Sequence, residues 1–225
     1  MKFSGLQKTS LVDFPNKIAS VLFTPGCNLR CPFCHNWRIV LEPKPPFLNE
    51  ETALKILDDR RKYVDAIVVT GGEPTIHKET PRFLKRLKEK DLLVKLDTNG
   101  LNSQILEECL PYVDYVALDV KTSLEKYCKL GAKDTGELLH SIEILKTGKV
   151  EYEFRTTVVP SFVEIEDVHK MCDVIKGART FAFQQFVPGD TLDEHLKTLV
   201  PYSRDVITGY ADIMRRYADS VVLRV

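Results

Sequence analysis

Short β-branched apolar runs, each followed by an amphipathic run, recur along the whole chain and leave few folds open. The apolar runs span residues 18–24, 66–70, 92–97, 115–120, 152–159 and 181–187, and a last short run, 220–225, closes the chain. Most are continuous rather than alternating, as in strands buried on both faces.

Helical patterns fill the gaps. After Asn49, Leu54 and Leu57 share a face and acids occupy the first turn. Leu138, Leu139, Ile142 and Leu145 form another stripe. Ser161 and Glu164 have capping-box spacing before Ile165, Val168, Cys172 and Ile175, with Gly177 as a stop. Ser203 can cap a run that carries Val206, Tyr210, Ile213 and Tyr217 on one side.

Strands alternating with helices give a parallel sheet, either doubly wound or barrel-like and short of eight strands. In both cases the loops after the strands' carboxyl ends carry the chemistry. At 225 residues, with no low-complexity linker, the chain reads as one domain. Apolar residues at 44% and charged residues at 28% exclude a disordered or fibrous chain.

Charge is balanced, 32 basic against 32 acidic residues, so no polyanion-binding footprint is expected, and no nucleic acid partner. The densest basic stretch, from Lys78 to Lys95, reads as the solvated face of a helix. No run approaches the ~20 apolar residues that span a bilayer, and residues 1–15 lack a signal-peptide core. The expected location is the cytoplasm, where thiols stay reduced, so six cysteines are not a disulfide framework.

Three of those cysteines cluster directly after the first apolar run, in Pro25-Gly26-Cys27-Asn28-Leu29-Arg30-Cys31-Pro32-Phe33-Cys34-His35-Asn36. A structural zinc knuckle would want four ligands in two pairs, and Cys109, Cys128 and Cys172 pair with nothing at ligand spacing. A thiol–disulfide motif uses a lone C-x-x-C and leaves Cys27 unexplained. Thiolates also hold iron–sulfur clusters, and three on a four-iron cluster leave one iron open for reaction.

Other strand ends carry polar groups. The 66–70 run ends in Thr70-Gly71-Gly72-Glu73-Pro74, where two glycines allow close backbone approach and a carboxylate follows. Asp97-Thr98-Asn99-Gly100 and Asp119-Val120-Lys121 end the next two runs. A turn cap and a surface ion pair explain these as simply as a ligand site does.

The C-x3-C-x2-C loop, with Phe33 before its last cysteine, resembles the radical S-adenosylmethionine enzymes. The resemblance implies a partial (β/α)6 barrel of parallel strands, open on one side, over residues 1–225, with the cluster loop at 25–37. It implies that Cys27, Cys31 and Cys34 hold a [4Fe–4S] cluster whose open iron binds S-adenosylmethionine. Gly71, Gly72 and Glu73 would then receive the methionine ammonium, Lys121 its carboxylate, and Asp119 the ribose. Asp97, Thr98 and Asp119 would form a monovalent-cation site. Arg155 is a weaker candidate, explained equally by a salt bridge beneath the sheet. Some activases carry a sixth-strand His; this chain has Gln184-Gln185 there, and Gln185 is the candidate replacement. His195 reads as a surface residue.

The stretches at 5–19 and 26–36 are most similar to the glycyl-radical enzyme activases that serve anaerobic ribonucleotide reductase. That implies reductive cleavage of S-adenosylmethionine and hydrogen-atom abstraction from a glycine of a partner enzyme, with a flavodoxin- or ferredoxin-type electron donor. Phe14, Pro15 and residues 43–47 are the candidate contact surface for the partner. A radical enzyme acting on a small molecule, or on another glycyl-radical enzyme in the manner of a pyruvate formate-lyase activase, would share every motif.

Overall fold

A computed structural model describes all 225 residues. Ten strands form: β1 (Lys2–Phe3), β2 (Gly5–Ser10), β3 (Ala19–Thr24), β4 (Leu48–Asn49), β5 (Ala66–Gly71), β6 (Leu93–Thr98), β7 (Tyr115–Asp119), β8 (Glu151–Val158), β9 (Ala178–Gln185) and β10 (Ala218–Arg224). The helices are α1 (Trp37–Leu41), α2 (Glu50–Arg60), α3 (Thr80–Lys88), α4 (Ser103–Cys109), α5 (Gly136–Lys146), α6 (Ile165–Ile175) and α7 (Arg204–Met214).

Eight strands make one sheet in the order β10-β9-β8-β7-β6-β5-β3-β2. Strands β3 to β10 in this sheet run parallel, each joined to the next by a helical crossover, and β2 lies antiparallel on β3. The end strands β10 and β2 do not pair, so the sheet is an open (β/α)6-type barrel rather than a closed one. No helix is long and apolar enough to cross a membrane.

Strands β1, β2 and β4 have no counterpart in the sequence pattern, and the last strand is longer than its apolar run. The run at 220–225 begins earlier and pairs fully along β9 as a seventh parallel strand. Strand β2, Gly-Leu-Gln-Lys-Thr-Ser, is an edge strand with mostly exposed side chains, so it has no apolar run to betray it.

Alternation within each strand separates two faces. Leu22, Ile67, Val69, Leu96, Leu118, Phe154 and Phe183 point outward and bury in one core with the helices. Ala19, Val21, Ala66 and Val68 point inward, where Phe14 packs on them and fills the foot of the barrel. Above that plug the inner face turns polar, and this polar half faces the carboxyl ends of the strands.

Several helix details differ from the sequence reading. Helix α6 starts at Ile165 and is capped by Glu164, whose carboxylate and that of Asp167 complete a reciprocal capping box. Ser161 sits outside it, in a turn at φ 72°, too early to reach the first helical N–H groups. The buried stripe of α7 is Ile207, Tyr210, Ala211 and Met214, while Val206 is exposed. Leu139 and Ile165 are likewise exposed, since the buried arc of each helix is narrower than its apolar composition. The basic stretch at 78–95 also splits. Lys85 and Lys88 lie on α3, but Lys95 is on β6, faces the barrel interior and is 1% exposed.

Candidate active site

The polar upper half of the barrel encloses a cavity of about 430 Å³. One wall is the loop after β3. Cys27, Cys31 and Cys34 all line the cavity, and all six cysteines of the chain are free thiols. Phe33 lines it as well, its ring edge-on to Phe162 at 5.2 Å.

The loop is held from three sides by backbone and amide hydrogen bonds. Gly26 N–H donates to Ile39 O at 2.8 Å, and Arg30 N–H to Leu130 O at 2.7 Å. Leu192 N–H and Asp193 N–H donate to the carbonyls of Cys34 and Pro32. Asn36 Nδ2 donates to Gly71 O at 2.8 Å.

The turn after β5 presses directly on this loop, and here the glycines are required. Gly72 N–H donates to Thr24 O and Glu73 N–H to Gly26 O. A Cβ on Gly72 would lie 1.7 Å from Gly26 O, and one on Gly71, at φ 116°, 2.3 Å from Thr24 N. Gly72→Ala is therefore expected to force the turn and the cysteine loop apart, at about 1–3 kcal/mol or more. Gly5→Ala, which meets nothing within 4 Å, is the control and should stay within about 0.5 kcal/mol. Denaturant titration of the two variants measures the difference; equal values would show the contact to be slack.

Glu73 lines the cavity but is 1% exposed and heavily engaged. Its Oε1 accepts from Thr75 N–H, Thr75 Oγ1 and Thr98 Oγ1, and its Oε2 accepts from Asn99 N–H at 2.7 Å. Burial raises its pKa, and these four donors oppose the rise. Glu73 thus ties β5 to β6 and leaves one oxygen with spare acceptor capacity. Asn99 completes the link, its Nδ2 donating to Asn28 Oδ1 at 2.7 Å beside Cys27 Sγ.

The opposite wall is a chain of alternating charges across β6, β7 and β8. Lys95 Nζ meets Asp97 Oδ1 at 2.7 Å and donates to Asp13 O at 2.6 Å. Arg155 bridges Asp97 Oδ2 at 3.0 Å and Asp119 Oδ1. Lys121 Nζ meets Asp119 Oδ2 at 3.0 Å. Burial alone would raise both Asp pKa values, but Arg155, with Lys95 or Lys121, outweighs it and holds both carboxylates below their usual range. Burial likewise opposes charge on Lys121, and Asp119 more than restores it.

The residues named for a monovalent cation, Asp97, Thr98 and Asp119, all line the cavity beside this array. Both oxygens of Asp97 and of Asp119 are taken by protein cations, and Thr98 Oγ1 is turned toward Glu73.

Burial pushes the Cys27 thiol up to about 12, helped by Glu73, and that of Cys31 to about 11; Cys34 is raised for the same first reason. Lys121 lowers all three, so the array opposite the thiols favours their anionic form. Loading metal on these sulfurs must displace protons.

The sixth parallel strand, β9, reads differently from expectation. Gln185 turns away, its Nε2 donating to Tyr202 O at 3.2 Å, and it is Gln184 that lines the cavity beside Thr157. The two glutamines alternate across the strand, and one step of register exchanges their faces. Phe14 is 6% exposed and plugs the barrel, so it cannot belong to a contact surface; residues 43–46 are exposed. His195 is exposed, as expected. Arg155, Asp13, Asn36 and Asn99 all line the cavity; of these, only Arg155 drew notice in the sequence.

The profile of the Radical SAM superfamily matches residues 21–175. A protein of Methanocaldococcus jannaschii named as a glycyl-radical enzyme activating enzyme is 36% identical over 98% of this chain and 95% of its own length. The pyruvate formate-lyase-activating enzyme of Clostridium pasteurianum is 28% identical over 85% of this chain and 83% of its own. Among solved structures, SuiB of Streptococcus suis bound to S-adenosylmethionine superposes with a TM-score of 0.69 at 16% identity. It covers 91% of this chain, which in turn spans only 52% of SuiB. With the three-thiol loop, the open barrel and a profile match over most of its length, this chain belongs to the radical SAM superfamily.

Proposed function

We propose that the chain is an activating enzyme that installs a glycyl radical on a partner enzyme, and that the partner is an anaerobic ribonucleotide reductase. The observation that carries the reading is three free thiols of one loop facing a buried charge array across a single cavity at the strands' carboxyl ends.

The residues present fit the family's cofactors. Three soft sulfur donors suit an iron–sulfur cluster, and their cavity has room beside them for a ligand. When bound, the [4Fe–4S] cluster and S-adenosylmethionine supply one-electron reductive cleavage and a hydrogen-atom abstraction. Cys27, Cys31 and Cys34 are the proposed ligands. Lys121, fixed by Asp119, presents a held positive charge to a carboxylate. Glu73 offers its spare oxygen lone pair to an ammonium, and Gly71 and Gly72 let backbone approach it. Asp119 and Gln184 are the remaining polar contacts, and Phe33 supplies an apolar side. The M. jannaschii relative supports activation of a glycyl-radical enzyme, and the stretches at 5–19 and 26–36 support the reductase as target.

The C. pasteurianum relative favours a second reading, a pyruvate formate-lyase as target. Mixing the reduced, reconstituted protein and S-adenosylmethionine with each candidate partner separates them. A carbon-centred paramagnetic doublet, split by the remaining α-hydrogen of a glycine, is expected with the reductase. The doublet on the lyase alone would replace the first reading by the second. 5′-Deoxyadenosine accumulating with a small molecule and no protein partner would reject both.

A further inference from the structure

We infer that Asn99 raises the reduction potential of the proposed cluster, through an N–H···S hydrogen bond from its side-chain amide to the Cys27 sulfur. This rests on the assignment of a cluster to Cys27, Cys31 and Cys34, and it involves no partner enzyme.

The contact joins two separate elements. Asn99 follows β6, Cys27 belongs to the loop after β3, and both line the cavity. Asn99 Nδ2 donates to Cys27 Sγ at 3.7 Å and to Asn28 Oδ1 at 2.7 Å. No other side chain donates to any of the three loop sulfurs. Leu29 N–H, at 3.3 Å, adds a backbone donor to the same sulfur.

The amide is held in one orientation. Asn99 Oδ1 accepts from Leu101 N–H at 3.0 Å, so Nδ2 is the atom left to face the sulfur. Its two hydrogens suffice for both acceptors. The backbone on either side is pinned as well. Asn99 N–H donates to Glu73 Oε2 at 2.7 Å, and Gly100 O accepts from Ser141 Oγ at 2.7 Å. Gly100 sits at φ 74°, and a Cβ there would lie 2.9 Å from Leu118 Cδ1. Asn99 itself is buried, so water does not compete for its N–H groups.

Cys27 is the sulfur that most needs such a donor. Its burial and the nearby Glu73 carboxylate both oppose negative charge there. Reduction adds one more negative charge to a cluster, and hydrogen bonds to its sulfurs help to set the potential. A fixed N–H aimed at a ligand sulfur stabilises the reduced, more negative form. Asn99 acts through Cys27 and is a positioning residue, not a catalytic one. A purely structural role is also conceivable for it, because the bond to Asn28 braces the loop. Bracing would govern iron retention and stability and would leave the potential alone.

The test is a redox titration of the reconstituted holoprotein with dithionite and mediator dyes, without S-adenosylmethionine. Dithionite supplies one electron to each cluster and no proton moves. Visible bleaching and the paramagnetic signal of the reduced form report the midpoint, and iron content is measured alongside. Asn99→Ala is expected to keep its iron and to lower the ratio of reduced to oxidised cluster at a fixed potential about tenfold, which is ~59 mV for one electron. Asn99→Asp keeps an acceptor for Leu101 N–H but sets a carboxylate oxygen against the sulfur, and should shift the midpoint further in the same direction. Asn102→Ala is the control. Its side chain bonds Thr75 O and Ile105 N–H close by in sequence and touches no cysteine, so its midpoint should not move. An unchanged midpoint in both Asn99 variants would overturn the inference. So would an equal shift in Asn102→Ala, or loss of iron from both Asn99 variants, since either makes Asn99 a brace. If one Asn99 variant alone loses iron, the midpoint of the other decides. Failure of the cluster assignment is a different event: no cluster absorption in the unchanged chain. Failure of the functional reading is different again, a normal titration with no radical on any partner.

Discussion

Alanine at any one of Cys27, Cys31 and Cys34 is expected to abolish the visible iron–sulfur absorption of the anaerobically reconstituted protein, and its cleavage of S-adenosylmethionine with it. The effect should be all-or-none, because two thiols cannot hold what three hold with one iron left open. The other cysteines cannot substitute. Cys109 and Cys172 are fully buried in the outer core, the latter against Met214, and Cys128 is exposed; none lines the cavity. Cys128→Ser should keep full iron, and Cys109→Ala and Cys172→Ala should keep it at a stability cost of about 1 kcal/mol. Iron and sulfide content, measured across all six single variants, checks the pattern. A full complement of iron in a triple variant of the loop would sink the assignment.

Arg155→Met is expected to be the most destabilising change in the polar half of the barrel, by about 3–5 kcal/mol. Arg155 is the only group that touches both Asp97 and Asp119. Its loss leaves two buried carboxylates facing each other with one lysine apiece. The pH dependence has a definite sign. Both carboxylates titrate lower in the folded protein than in the unfolded chain, where an Asp titrates near about 3.9. Their stabilisation is therefore complete above that value and is lost as pH falls through the folded values. The gap between the unchanged chain and Arg155→Met should be widest at neutral pH and close progressively in acid. Arg155→Lys keeps the charge but not the two-pronged geometry and should fall between them. Urea titrations at neutral and acidic pH measure the gap. A neutral-pH difference below about 1 kcal/mol would mean that the lysines alone carry the array.

The strand framework was legible because most strands are buried on both faces near the foot of the barrel and read as apolar runs. The same property hid the facing. Along β9, Phe181 and Phe183 point to the helices while Ala182 and Gln184 point inward. Nothing in Phe183-Gln184-Gln185 shows which glutamine faces the cavity. The cysteine loop and the Gly-Gly-Glu turn were readable because their spacing is local. Lys95 was not, because a buried lysine is tolerable only with partners that the fold supplies, here Asp97 and the carbonyl of Asp13. Phe14 looked like a free aromatic for the same reason: the four small side chains that receive it come from two other strands. Strand β2 carries no apolar signal and is specified by pairing with β3.

The bonds that fasten the cysteine loop come from Ile39, Gly71, Leu130, Leu192 and Asp193, and none of them involves a metal. The loop is therefore preorganised. In small zinc domains the ion carries the folding free energy and its removal unfolds the chain; here backbone and amide hydrogen bonds tie the loop to the barrel. An inorganic centre bound on such a scaffold can be destroyed by oxygen and rebuilt without the polypeptide refolding. Under the proposed function, oxidative damage would then call for repair chemistry at three sulfurs rather than for refolding.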